Sequence, residues 1–246
     1  MKNLLFLTFI FTANLISTKN ISHLLTNKKE LQEKYSIHEI ILQKSTEEIL
    51  ELSDGVVIGN GHLMTKDGKI PYEFSNLPYE HRNVLPKILT KPLPEIHFNG
   101  KLALINSPGE ECYYHWIFQI LPKLEILKQS GLPWDKLYFY ELNKPFQWEW
   151  LKLLDISKQD LYIAYENYRI KSNTLYAMSP PVIYSALDRR KPFSNWVVHF
   201  LRNTVEPHYK KVTIATISHI YISRAKAATR KLVNEEELLT MLKKHN

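Results

Sequence analysis

The chain contains one cysteine, Cys112. A lone thiol excludes an internal disulfide and any multi-thiolate metal site, and leaves Cys112 as a small apolar residue close to His115. Glycine is scarce too: there are 7 in 246 residues, and none after Gly131. The remaining 115 residues therefore hold no glycine-rich, phosphate-cradling loop. Aspartate occurs at 6 positions, no two separated by a single residue, so no closely spaced pair stands ready for a divalent ion and no metal is expected. Long apolar runs are absent as well. The longest, Leu4 to Ile16, is interrupted by Thr8, Thr12 and Asn14 and is too short to span a bilayer. Residues 1–20 fit a signal-peptide core or leader as well as they fit the first helix of a soluble domain.

The formal charge of +7 is unevenly placed. His208–Asn246 carries 8 Lys/Arg against 3 Glu, and Met1–Lys34 carries 5 Lys against 2 Glu, while the rest is close to neutral. A nucleic-acid footprint would run as a stripe along one face with interleaved aromatics, so no nucleic-acid partner is expected. Peripheral membrane association through the leader remains open. The leader leaves a cytoplasmic or membrane-associated location and a secretory route both standing.

Along the chain, a lysine-rich helix is expected over 21–34 and a short strand over 38–42. A hairpin follows over 54–70, with turns at Gly59-Asn60-Gly61 and Lys66-Asp67-Gly68. Residues 71–94 are proline-punctuated and read as an irregular loop. From Lys101 the pattern alternates: strands at 102–105, 136–141, 161–164 and 174–178, with helices at 112–131 and 146–154 between the first three. Units of this length imply a parallel sheet covered by helices, an α/β fold. Helices follow at 192–205 and 235–245, the second capped by Asn234 with Glu237 in capping-box position, after a strand within 214–222. This divides the chain into a leader (1–20), an N-terminal segment (21–100), an α/β domain (101–205) and the start of a further unit (206–246).

The organising stretch is Cys112–Gly131, CYYHWIFQILPKLEILKQSG. Trp116, Ile117, Ile120, Leu121, Leu124 and Leu127 recur at helical spacing. His115, Gln119 and Lys123 lie four apart on one polar stripe. Pro122 has no amide N–H and crowds the carbonyl of Phe118, so the helix either kinks there or restarts on Pro122. Ligands of parallel sheets bind past the carboxyl ends of the strands. The loop 107–114 lies at such an edge and would present Tyr113, Tyr114 and His115 to a crevice. A satisfied core histidine and a functional one both fit this position.

The run Tyr113-Tyr114-His115-Trp116-Ile117-Phe118, with Leu121-Pro122 and Leu124, resembles the N-terminal signature of glycosyltransferase family 61. A second block, Tyr221-Ile222-Ser223-Arg224 and Arg230 to Leu238, is similar to that family's middle motif. The resemblance covers roughly residues 50–246. It implies the Rossmann-like acceptor-side half of a two-domain (GT-B type) glycosyltransferase, plus the first strand–helix unit of the donor-side half. It also implies metal-independent, inverting transfer from a nucleotide sugar in polysaccharide biosynthesis, with no cofactor. His115 is then the base that deprotonates the acceptor, with Tyr113, Tyr114 and Gln119 beside the substrate. Arg224 and Arg230 would neutralise the donor diphosphate, since a guanidinium matches phosphate oxygens. Many family members carry Asp where this chain has Gln119, and glutamine cannot stabilise an imidazolium by charge.

The family continues into a glycine-rich, nucleotide-sugar-binding half. The expectation is therefore a truncated chain, inactive alone, whose donor site a second polypeptide supplies, and whose last helix leaves Leu238, Leu239 and Leu242 exposed. The alternatives are a non-catalytic descendant that binds a glycan or a partner, and a basic protein of membrane surfaces or nucleic acids.

Overall fold

The computed structural model describes residues 24–59, 61–75, 92–107, 109–164, 168–181, 194–208, 221–227 and 231–244. The leader, most of the proline-rich loop, the strand expected before residue 221, and Arg230 lie outside these residues. The chain forms two compact units, Met1–His208 and Tyr209–Asn246.

In chain order the strands of the first unit are β1 (Leu25–Thr26), β2 (Ser36–Leu42), β3 (Ser45–Ser53), β4 (Val56–Ile58), β5 (His62–Met64), β6 (Ile70–Pro71), β7 (Glu95–Leu104), β8 (Lys136–Phe139), β9 (Leu161–Ile163) and β10 (Arg169–Met178). Its helices are α1 (Lys28–Gln32), α2, α3 (Pro145–Leu153) and α4 (Asn195–Val205). Helix α2 runs through three segments, Tyr113–His115, Trp116–Ile120 and Leu121–Ser130.

The fold is mixed α/β. Strands β10, β7, β8 and β9 are parallel neighbours in that order. The sheet is not parallel throughout, as the strand–helix alternation after Lys101 had implied. Strands β3 and β4 pair antiparallel along the other side of β10, β2 pairs with β3, and β5 with β4. The physical reason lies in the connections. β2 and β3 are joined by Gln43 and Lys44, both at positive φ (45° and 72°), which is a tight hairpin and permits only antiparallel pairing. β7 to β8 and β8 to β9 are joined through α2 and α3, long enough for parallel crossovers.

Period-two alternation divides the strands between two cores. Ala103 and Ile105, Leu137 and Phe139, Tyr176 and Met178 join Trp116, Ile120, Leu127, Trp150, Trp196 and Phe200 on one face. Leu102 and Leu104, Tyr138, Leu175 and Ala177 face the other way, with Leu31, Val57, Leu63 and Phe74. Helices α2, α3 and α4 thus cover the first face, while the β4–β5 hairpin and α1 cover the second.

Two further expectations change. The lysine-rich helix is confined to Lys28–Gln32, because the Asn27 side chain accepts from the Glu30 amide and caps it there. Leu25–Thr26 instead pairs in parallel with Ile70–Pro71. The sequence reading had no strand at 45–53. Its Glu47 is buried and takes the Trp196 indole N–H at 2.9 Å and the Ser45 hydroxyl at 2.8 Å, tying α4 to the sheet. Glu47→Ala should therefore cost roughly 1–3 kcal/mol by leaving the indole N–H orphaned. Urea unfolding of Glu47→Ala, Trp196→Phe and the double variant should show the two losses to be strongly non-additive.

In the second unit, helix α5 (Glu235–Lys244) forms with acidic residues in its first turn and lysines in its last. Residues 221–224 carry no strand pairing. Leu238, Leu239 and Leu242 are half-buried instead of exposed, and the exposed large apolar residues described in this unit are Tyr221, Ile222, Leu232, Val233 and Met241. Among the described residues no helix is long and apolar enough to cross a membrane.

Candidate functional site

The parallel strands β7, β8, β9 and β10 all end at one edge, and the loop from Ile105 to Cys112 leaves β7 there and leads into α2. Pro122 is accommodated without a break. The turn Trp116–Ile120 is a π-turn, with the Leu121 amide donating to the Trp116 carbonyl. The wider turn falls just before Pro122, which sits in the first turn of the next segment. At the far end Gly131 adopts φ +66°, the left-handed cap that its position predicts.

The polar stripe stays together around this loop. His115 is half-buried, and its Nδ1 lies 2.8 Å from the Gln119 amide oxygen. An amide oxygen can only accept, so Nδ1 carries a proton, and in the neutral ring Nε2 is the nitrogen with the lone pair. Gln119 thus orients the imidazole but brings no charge to it.

Beneath the ring lies Gly109 at φ +90°. A Cβ on Gly109 would come within 2.9 Å of the imidazole Cδ2. Only glycine combines that backbone with that approach. Gly109→Ala should unseat the ring and lower any His115-dependent rate by about tenfold or more, since a misplacement near 1 Å can cost ~100-fold. Comparing the variant's rate with its unfolding midpoint checks whether the rate falls further than stability does.

Two tyrosines precede His115 in the chain, and one of them packs on its ring. Tyr114 packs edge-on against His115 at 5.4 Å and tilts onto Phe118 at 5.3 Å. Tyr113 packs edge-on against Phe146 at 5.2 Å, and its hydroxyl receives the Trp150 indole N–H at 3.4 Å. Both phenols keep close to half their surface open, 49% for Tyr113 and 47% for Tyr114. Rings fixed by neighbours yet open on one side suit the apolar faces of sugar rings.

Under the loop is a buried polar layer that sequence reasoning missed. Lys123, third member of the stripe, is 1% exposed. Its Nζ donates to Ser107 Oγ at 2.7 Å and to the Asn106 carbonyl at 3.2 Å. Burial alone pushes its pKa down to about 7. Glu110 is also buried, and burial first of all pushes its pKa up to about 8, with hydrogen bonds from the Glu141 amide and Asn106 partly offsetting this. The Glu110 carbonyl accepts from the buried Gln147 amide at 3.1 Å. The Tyr138 hydroxyl donates to the Gly59 carbonyl at 2.6 Å, and burial raises its pKa. The one legible signal was a lysine among apolar neighbours in Leu121–Leu127.

In the second unit the Arg224 amide and the Tyr221 hydroxyl both donate to Glu235 Oε1, at 2.9 and 2.7 Å. Glu235 is buried, and these partners, Tyr221 foremost and then Ser223, hold its carboxyl below the usual range. The Glu235 carboxylate thus takes up the Arg224 amide and the Tyr221 hydroxyl, and an anion bound here would have to be met by other groups. Arg230 lies outside the described residues. Among the described residues no group of three or more His, Cys, Asp or Glu side chains is placed to hold a metal ion.

Comparison with known proteins gives one finding. The family model Glycosyltransferase 61 matches residues 113–246, more than half of the chain, and its match begins at Tyr113, in the loop-to-helix segment just described. No curated protein and no solved structure matches the chain.

Proposed function

Because the chain belongs to glycosyltransferase family 61, we propose that it transfers a sugar from a nucleotide-sugar donor to a hydroxyl of a glycan or glycoconjugate, in the synthesis of a polysaccharide. The observation that carries this reading is His115. Its Nδ1 is held by Gln119, and half-open Tyr114 packs against its ring, past the carboxyl ends of the parallel strands.

The acceptor hydroxyl attacks the anomeric carbon as His115 Nε2 takes its proton. The carbon–oxygen bond to the diphosphate breaks with inversion, and the nucleoside diphosphate leaves with the electron pair. Tyr113 and Tyr114 hold the acceptor ring. Arg224 and Arg230 are the residues we assign to the leaving diphosphate, because a guanidinium neutralises phosphate charge, a role a metal would otherwise fill. The wider arrangement is that of a GT-B enzyme with Rossmann-like halves.

Incubating the full chain with a panel of nucleotide sugars and oligosaccharide acceptors tests the reading. Expected is an acceptor heavier by one sugar, released nucleoside diphosphate, and an inverted anomeric centre. Acceptor binding with no mass gain from any donor would instead support a chain inactive alone, as its lack of a glycine-rich loop implies, or a non-catalytic glycan-binding descendant. Gln119 favours the latter, because it gives the imidazolium no opposite charge.

A further inference from the structure

The buried amine of Lys123 is not used by the chemistry above, and its placement is costly. A lysine side chain is long and strongly hydrated, and enclosing it forfeits both that hydration and its rotamer freedom. A leucine or methionine would fill the same space between α2 and the sheet at less cost. The lysine's N–H groups nevertheless have two specific acceptors, Ser107 Oγ and the Asn106 carbonyl.

Those acceptors lie 16 and 17 residues before Lys123 in the chain, and His115 lies midway between Ser107 and Lys123. The contact therefore ties together the two ends of the segment that carries His115. The Asn106 end of this segment is fixed further. The Asn106 amide donates to the Tyr138 carbonyl at 3.3 Å, and Gly61, at φ +109°, packs so close to the Asn106 carbonyl that an added Cβ would lie 3.1 Å from it. The remaining points of the loop are the Glu110 carbonyl, held by Gln147, and the Cys112 amide, which donates to the Gly109 carbonyl at 2.8 Å. Between the two fixed ends sits Gly109, in contact with the imidazole.

We propose that Lys123 is a positioning residue for His115. By tying the end of β7 to α2 through Ser107 and Asn106, it sets the height of Gly109 under the ring, and hence where Nε2 points. The proposal rests on the reading of His115 as the reacting base. It assigns Lys123 no contact with substrate.

The test is nuclear magnetic resonance of the imidazole in the full chain labelled at histidine, with the His115 signals assigned by their loss in His115→Gln. In Lys123→Met the His115 ring signals should broaden or split, as the ring samples more than one position. Lys123→Met also leaves the Ser107 hydroxyl orphaned and lowers the unfolding midpoint. The double variant Lys123→Met/Ser107→Ala, which removes both partners, should regain most of that midpoint yet keep the disturbed His115 signals. A merely structural lysine would give the opposite, with ring signals returning to those of the unsubstituted chain as stability returns. That result would overturn the proposal.

Should Lys123→Met fail to fold, Ser107→Ala alone keeps the lysine and removes one acceptor, and unchanged His115 signals there would overturn it equally. The two readings also fail separately. A disturbed ring in a chain whose sugar transfer ignores His115 would leave the positioning intact and remove the catalytic role.

Discussion

Resistance to urea should pass through a minimum between about pH 7 and 8, where many proteins are near their most stable. The cause is the buried pair of ionisable groups under the His115 loop. Glu110 is held protonated when folded, with its pKa raised from 4.5 to about 8. From pH 4.5 to 8 the unfolded chain has released that proton and the folded chain has not, so stability falls as pH rises. Lys123 is held neutral when folded, with its pKa lowered from 10.5 to about 7. From pH 7 to 10.5 the unfolded chain binds the extra proton, so stability rises with pH. Each group contributes a slope of about 1.4 kcal/mol per pH unit within its window, and between 7 and 8 the two oppose one another.

Other groups act mostly outside this range. Asp67 and Glu235, with lowered pKa values, contribute stability that is lost only in acid. Burial lowers the pKa of His62, which adds a rising limb below pH 6.5 and partly masks Glu110 there. Differences between variants isolate each arm. Glu110→Gln should lose the fall between pH 6.5 and 8, and Lys123→Met should lose the rise between pH 8 and 9.5. Urea midpoints at constant m-value, taken from pH 5 to 9.5, read both arms. Parallel curves for all three chains would show that neither group is held in its uncharged form.

His115→Ala should lower sugar transfer by a factor of about 10² to 10⁴, the usual worth of a positioned general base. The loss should fall on kcat, because the imidazole acts as the acceptor oxygen develops charge and contributes little to binding before then. Tyr114→Ala should behave oppositely. Its ring is packed on His115 and Phe118 with the other side open, so on the proposed reading truncation removes a surface for the acceptor and should raise the acceptor KM. Gln119→Asp is informative in the other direction. The amide oxygen orients Nδ1–H from 2.8 Å, and a carboxylate in its place would also stabilise the imidazolium as it forms. The expected result is a faster enzyme at the same acceptor KM.

The helices that stand on their own periodicity were legible in the sequence. α2 shows its apolar spacing, and Gly131 marks its end. α3 and α5 fall within one residue of their expected bounds. The buried strands were legible as short apolar runs, although β10 begins five residues earlier than expected, at Arg169, and β7 seven residues earlier, at Glu95, where the two pair. What was not legible depends on distant partners. β3 reads as a charged stretch until Trp196, 149 residues away, supplies the N–H that Glu47 accepts. The π-turn is invisible to a 3.6-residue reading, because it adds a residue only where Pro122 requires one. The place of His115 at the sheet edge was legible, because a loop after a buried strand leads into the helix that carries it. Lys123 and Glu110 were not, because spacing along a helix or loop does not say which polar side chain turns inward. Lys123 belonged to the right stripe, but its enclosure follows from Ser107 and Asn106 folding back over it.

Chemical rescue of His115→Ala tests the central claim most directly, that a held imidazole past the ends of the parallel strands takes the acceptor's proton. Sugar transfer by this variant should be measured with and without added imidazole. The account predicts a rate far below that of the unsubstituted chain, partly restored by imidazole in proportion to its concentration and unmoved by an equal concentration of a non-basic azole. A variant that transfers sugar at the full rate with no imidazole present would contradict it.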